Sequence, residues 1–126
     1  MKVAVIGSRG LRVADLGMYL PPETSVIISG GAVGIDGCAK EYAHAHGLEL
    51  IEFLPDYARF GKSAPLVRNK LIVKAADWVL AIWDGRSRGS KYTIDYAKGL
   101  GKPVDVIIID NSAGCREINT ASGVQK

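Results

Sequence analysis

The chain has 126 residues, is 48% hydrophobic and 23% charged, and carries a formal net charge of +3. This is one domain of ordinary globular composition, which excludes a disordered or fibrous chain. The mild positive balance admits anionic ligands but falls short of the clustered Lys/Arg stripe of a protein that lives on a nucleic-acid backbone.

Val3-Ala4-Val5-Ile6, ended by Gly7, predicts a first strand, and its apolar stretch is shorter than the roughly 7–15 residues of a signal peptide. A short helix is expected over residues 10–20. Val26-Ile27-Ile28 predicts a second strand, ended by Ser29-Gly30-Gly31, and residues 34–46 a helix that stops at Gly47. Leu48 to Phe53 is a third apolar run, closed by Pro55. The next helix is expected over 64–76, with Ser63 as N-cap and Pro65 in the first turn. Trp78 to Trp83 predicts a fourth strand, closed by Asp84-Gly85, then a helix over 89–100 ending at Gly101 and a fifth strand from Val104 to Ile109. No run approaches the roughly 18 apolar residues of a membrane helix.

The strand candidates are continuously apolar rather than alternating, as in parallel sheets covered on both faces. Alternation with helices and right-handed crossovers then predicts an α/β, Rossmann-like, doubly wound parallel sheet. Five strands in the order 3-2-1-4-5 would lie within three α/β/α layers. Residues 1–110 form the expected domain, and 111–126, polar and non-periodic, read as a loose C-terminal tail. The two cysteines, Cys38 and Cys115, have no metal or redox spacing, so a cytoplasmic protein with reduced thiols, no metal and no membrane partner is expected.

Fifteen glycines stand where average usage gives roughly nine. Many fall in three loops: Gly7-Ser8-Arg9-Gly10, Ser29 to Asp36, and Asp84 to Ser90. In an open parallel sheet, ligands bind beyond the carboxyl ends of the strands where strand order reverses, here between strands 1 and 4. A glycine after a strand is often plain turn chemistry. Three such loops on one rim, each opening a helix, point instead to a phosphate-bearing ligand. The amides of Gly30, Gly31, Gly34, Gly89 and Ser90 would hold phosphate, with Gly7 in the first turn, Arg9 supplying charge and Ser8 a hydroxyl. Asp36 and Asp84 are candidate ribose contacts or catalytic carboxylates, against the plainer roles of helix-dipole complement and turn cap. Trp83 reads as core rather than as a base platform, and His44 and His46 as surface residues. No Ser-His-Asp or Cys-His constellation can be assembled at the rim.

Two familiar motifs fail. Gly61-Lys62-Ser63 would need a glycine where Asp56 stands to be a P-loop, and Gly7-Ser8-Arg9-Gly10 lacks the dinucleotide fingerprint.

Gly7-Ser8-Arg9 followed by Ser29-Gly30-Gly31-Ala32-Val33-Gly34-Ile35-Asp36 resembles the signature of the SLOG superfamily, which groups DprA, the LOG enzymes and YpsA-like proteins. Phe53-Leu54-Pro55-Asp56-Tyr57, Gly61-Lys62, Arg68-Asn69, Ala76-Asp77 and Trp83 to Ser90 are similar to the YspA-type, YpsA-related branch. The resemblance spans residues 2 to 108. It implies a Rossmann-like fold that binds nucleotides or nucleotide-derived ligands as a sensor or processing module, adds Arg68 and Asn69 to the site, and suggests a homodimer. Thr93 stands where the LOG glutamate would be. The leading expectation is therefore a small-molecule nucleotide ligand at the rim of strands 1, 2 and 4, with no other cofactor implied. Two rivals stand beside it: a nucleotide hydrolase using Asp36 or Asp84, and a DprA-like single-stranded DNA binder. The low aromatic content (7%) and the net charge argue against the second.

Overall fold

The computed structural model describes residues 1–109 and the backbone of 110 and 116–118. The apolar runs form β1 (Lys2–Gly7), β2 (Val26–Ser29), β3 (Glu49–Glu52), β4 (Trp78–Trp83) and β5 (Val104–Asp110). All five are parallel, in the order β3-β2-β1-β4-β5, as the sequence predicts. Ala4 of β1 lies opposite Ile28 of β2 and Val79 of β4, so β1 and β4 meet where the order reverses.

A sixth strand, β6 (Arg116–Ile118), pairs antiparallel with β5, placing Ile108 opposite Ile118. The stretch read as a loose tail thus contributes one element; three residues are too few for a hydrophobic period to register. The rest of that stretch, Cys115 included, lies outside the described residues.

The main helices are α1 (Ile35–His46), the single turn α2 (Tyr57–Phe60), α3 (Ala64–Ala75) and α4 (Arg88–Gly99). Successive side chains of a strand point to opposite faces, and two cores follow. Val3, Val5, Ile27, Leu80 and Ile82 pack with Ile35, Ala39 and Ala43 of α1. On the other face Ala4, Ile6, Ile28, Val79 and Ala81 pack with Ile72 and Val73 of α3 and Ile94 and Ala97 of α4.

Two local expectations change, and one short turn appears that the sequence did not announce. The helix expected over 10–20 is only a 3-10 turn at Leu16–Met18, with Asp15 Oδ1 accepting from the Gly17 amide at 3.0 Å. Its fully buried residues, Leu11 and Leu16, are five apart, which is not a helical spacing, and Pro21-Pro22 follow. The turn α2 is too short for periodicity to reveal; Asp56 caps it by accepting from the Arg59 amide at 3.1 Å. Ser63 does not cap α3. A 3-10 turn at Gly61–Ser63 runs straight into that helix, so Ser63 already has helical dihedrals (φ −81, ψ −8).

Candidate functional site

A pocket of about 330 Å³ opens at the carboxyl ends of β1, β2 and β4. Ten of the twelve residues singled out in the sequence line it: Gly7, Ser8, Arg9, Gly30, Asp36, Arg68, Asn69, Asp84, Gly89 and Ser90. Gly31 and Gly34 do not. Sequence reasoning passed over Pro65 and Ile72, which with Asn69 form one stripe of α3 at i, i+4, i+7, and over Ser87 and Thr93.

Gly34 serves close packing. Its φ is +74°, and a Cβ there would collide with the Arg9 carbonyl oxygen and lie 2.9 Å from that of Ser8. Its bareness lets α1 begin against the loop after β1. Gly7 is similar: a Cβ would sit 2.5 Å from Ile35 Cγ1 and 2.6 Å from the Ile82 oxygen.

One side of the pocket is built around Arg68. Its residue surface is only 7% exposed. Nη1 donates to the Gly30 carbonyl at 2.6 Å and the Phe53 carbonyl at 3.4 Å, and Nε to that of Pro65 at 3.4 Å. The guanidinium expected to serve a ligand therefore ties the ends of β2 and β3 to α3. Asp36 lies beside it, with Oδ2 accepting from the Ala32 amide at 3.1 Å. Burial pushes the Asp36 carboxyl above its ordinary 3.8, and the Ala32 amide and the Arg68 charge offset this only in part. Gly30 fits between the two: a Cβ would strike Arg68 Nη1 and come within 3.0 Å of Asp36 Oδ2.

The other side is the turn after β4. Asp84 Oδ1 accepts from the Arg86 and Ser87 amides, both at 2.8 Å, and Oδ2 from the Ser87 hydroxyl at 2.9 Å. Burial alone would raise the Asp84 carboxyl, but these bonds together hold it below 3.8. Asp84 is thus a charged turn cap in front of α4, poorly suited to a general base at neutral pH. Ser87 gives its proton to Asp84, so in the 3.2 Å contact between the two hydroxyls it is Ser8 that donates. Ser8, 4% exposed, also accepts from the Asp84 amide at 3.2 Å, so its hydroxyl proton is turned into the protein. Asp84→Ala is expected to cost about 1–2 kcal/mol, as for loss of a cap. Because the folded carboxyl sits below 3.8, that deficit is present above pH 3.8 and shrinks as the pH falls through the depressed value. Thermal unfolding of both proteins across acid pH measures it; a deficit that grew on acidification would refute the assignment.

Between the two sides Asn69 Nδ2 donates to Thr93 Oγ1 at 3.0 Å, and Thr93 Oγ1 to the Gly89 carbonyl at 2.9 Å. Trp83 Nε1 donates to the Ser87 carbonyl at 3.0 Å, which fits its reading as packing. His44 and His46 are exposed on α1, the latter stacked on Tyr42 at 4.0 Å. Among the described residues no group of His, Cys, Asp and Glu could hold a metal. No helix among them is long and apolar enough to cross a membrane.

No family model and no curated protein matches the chain. Two solved structures do. One is DNA processing protein A from Helicobacter pylori, described for its single-stranded DNA binding mode: 26% identity, TM-score 0.65, covering 84% of this chain. The other is DNA processing protein A (DprA) from Streptococcus pneumoniae, at 24% identity and TM-score 0.63 over 83% of this chain. The match spans 64% and 49% of those two chains. The chain therefore has the DprA-related, Rossmann-like fold of the SLOG superfamily.

Proposed function

We propose that this chain binds single-stranded DNA, with one nucleotide unit seated in the rim pocket. The observation that carries the reading is the likeness, over 84% of the chain, to a structure described for its single-stranded DNA binding. It raises what stood in the sequence as the less favoured rival. The pocket supports it with the exposed cation of Arg9 and with Gly89 and Ser90 in the first turn of α4, where backbone amides face outward. Arg68 contributes the shape of the site rather than a ligand contact. The YspA-type resemblance belongs to the same proposal.

A second reading, a free nucleotide as ligand, is favoured by the pocket's size. Its volume is near the lower end of the roughly 300–1,000 Å³ typical of small-molecule sites. The hydrolase reading has less support. Thr93 is buried and bonded within the protein, and Asp84 is engaged by its turn, which leaves Asp36 as its carboxylate.

Arg9→Ala tests the proposal, since Arg9 is exposed and its loss leaves the cores intact. Affinity for labelled oligothymidylate is expected to fall about tenfold or more, as for a lost charge-assisted hydrogen bond. In the parent protein, affinity should fall with salt at a slope of about −0.7 per phosphate contacted. If oligonucleotide binding were unchanged while a nucleotide-induced thermal shift disappeared, the free-nucleotide reading would replace this one.

A further inference from the structure

Charge is unevenly distributed over the fold. Helices α3 and α4, side by side on one face of the sheet, carry Arg68, Lys70, Lys74, Arg88, Lys91 and Lys98 against the single acid Asp95, which pairs with Lys91 at 2.9 Å. Arg68 is buried in the pocket beside Asp36, so the outer surface of these two helices carries five basic residues and one acidic, a net +4, whereas the whole chain carries +3 and the remainder is net negative. On the opposite face the outer surface of α1 carries Lys40 and Glu41, and Glu41 pairs with Arg12 at 3.1 Å.

Aromatic surface lies among these cations. Lys70 Nζ of α3 sits 5.8 Å from the ring centre of Tyr92 and 5.6 Å from that of Tyr96, both on α4 and both within cation–π range. Tyr92 is 41% exposed and Leu71 46%. Arg88, Tyr92 and Tyr96 follow one another at i, i+4, i+8 along α4, and Arg88 adjoins Gly89 at the pocket. A continuous path therefore runs from the pocket mouth onto a basic, aromatic-bearing helical surface. Cations that follow a phosphate backbone, with rings on which bases stack, are how single strands are held without sequence preference.

We infer that the outer face of α3 and α4 is a second contact surface for single-stranded nucleic acid, reached by a strand whose one nucleotide unit occupies the pocket. The strand's entry from the pocket rests on the proposed function; the charge and aromatic pattern of the face does not.

The test compares a trinucleotide with an oligothymidylate of about twelve nucleotides, within the usual site sizes. Two variants alter only exposed side chains: Lys74→Gln with Lys98→Gln, and Tyr92→Ala. The parent is expected to bind the longer oligonucleotide more tightly. Each variant should lose about fivefold or more on it, and nothing on the trinucleotide. The lysine variant should also flatten the salt slope by about 1. Parent-like binding of the longer strand by both variants, or no gain of affinity with length in the parent, overturns the inference. So does loss of polyglutamate binding in the variants with DNA binding intact, which would assign the face to an acidic protein. Arg9→Ala separates the two proposals. If it is silent while the face variants weaken the longer strand, the pocket reading fails and the face stands. If it weakens the trinucleotide while they are silent, the reverse holds.

Discussion

Arg68→Ala is expected to destabilise the fold by about 3–5 kcal/mol, lowering the melting temperature by roughly 10–20 °C. The substitution removes the donor for the Gly30 and Phe53 carbonyls and leaves Asp36, already pushed up by burial, without its neighbouring cation. Arg68→Lys is expected to recover only part of the loss, because one compact ammonium cannot reproduce the guanidinium fork that reaches three carbonyls. The deficit should also depend on pH in a stated direction. Without Arg68 the folded Asp36 carboxyl rises further above 3.8. Folding with that group charged is therefore penalised above its raised value, and the penalty fades as the pH falls and Asp36 protonates. Calorimetry near pH 7 and toward pH 4 would show a smaller difference at the acid end. A variant as stable as the parent would mean that Arg68 is dispensable to the scaffold and restore it as a residue held for a ligand.

Gly34→Ala is the second large effect. The position needs φ +74° with ψ −125°, outside the left-handed helical region, which costs an L-residue about 1–3 kcal/mol, and the new methyl would collide with the Arg9 carbonyl. Backbone oxygen cannot step aside as a flexible side chain can, so a further overpacking cost of about 1–3 kcal/mol follows. The expected total, about 3 kcal/mol, should shift the melting temperature by roughly 10 °C. Because the collision is with the loop that presents Arg9, oligonucleotide affinity should fall too. Gly89→Ala makes the contrast, since a Cβ there meets nothing within 4 Å. If both glycines tolerated alanine equally, close packing would not explain Gly34.

What was legible in the sequence follows from length and repetition. The five parallel strands and their order could be read because each is a run of mostly apolar residues between breakers, and α1, α3 and α4 because each spans three turns. The turn α2 and β6, four and three residues long, are shorter than any period that could announce them. The site was legible as a place, since the switch point and the glycine loops fix it, but roles within it were not. Arg68 looked like a charge offered to a ligand because pattern cannot tell a guanidinium aimed at solvent from one bound to carbonyls distant in sequence. Asp84 looked catalytic or capping with equal force, and only its three accepted hydrogen bonds decide for the cap. Gly7 and Gly34 were read as phosphate loops, yet what they avoid is contact with Ile35, Ile82 and Arg9, all brought close by tertiary structure.

The short antiparallel strand beside β5 has a consequence for the protein's behaviour in a crowded solution. β5 is seven residues of mostly valine and isoleucine, the kind of segment that templates intermolecular β-pairing when its open hydrogen-bonding side is left uncovered. β6 occupies that side at Ile108 to Asp110 and moves the sheet's boundary to a three-residue strand. The other boundary is β3, four residues with a glutamate at each end. The carboxyl end of β5, with Ile108 and Ile109, is thus covered rather than offered to another chain, and the opposite margin is short and charged.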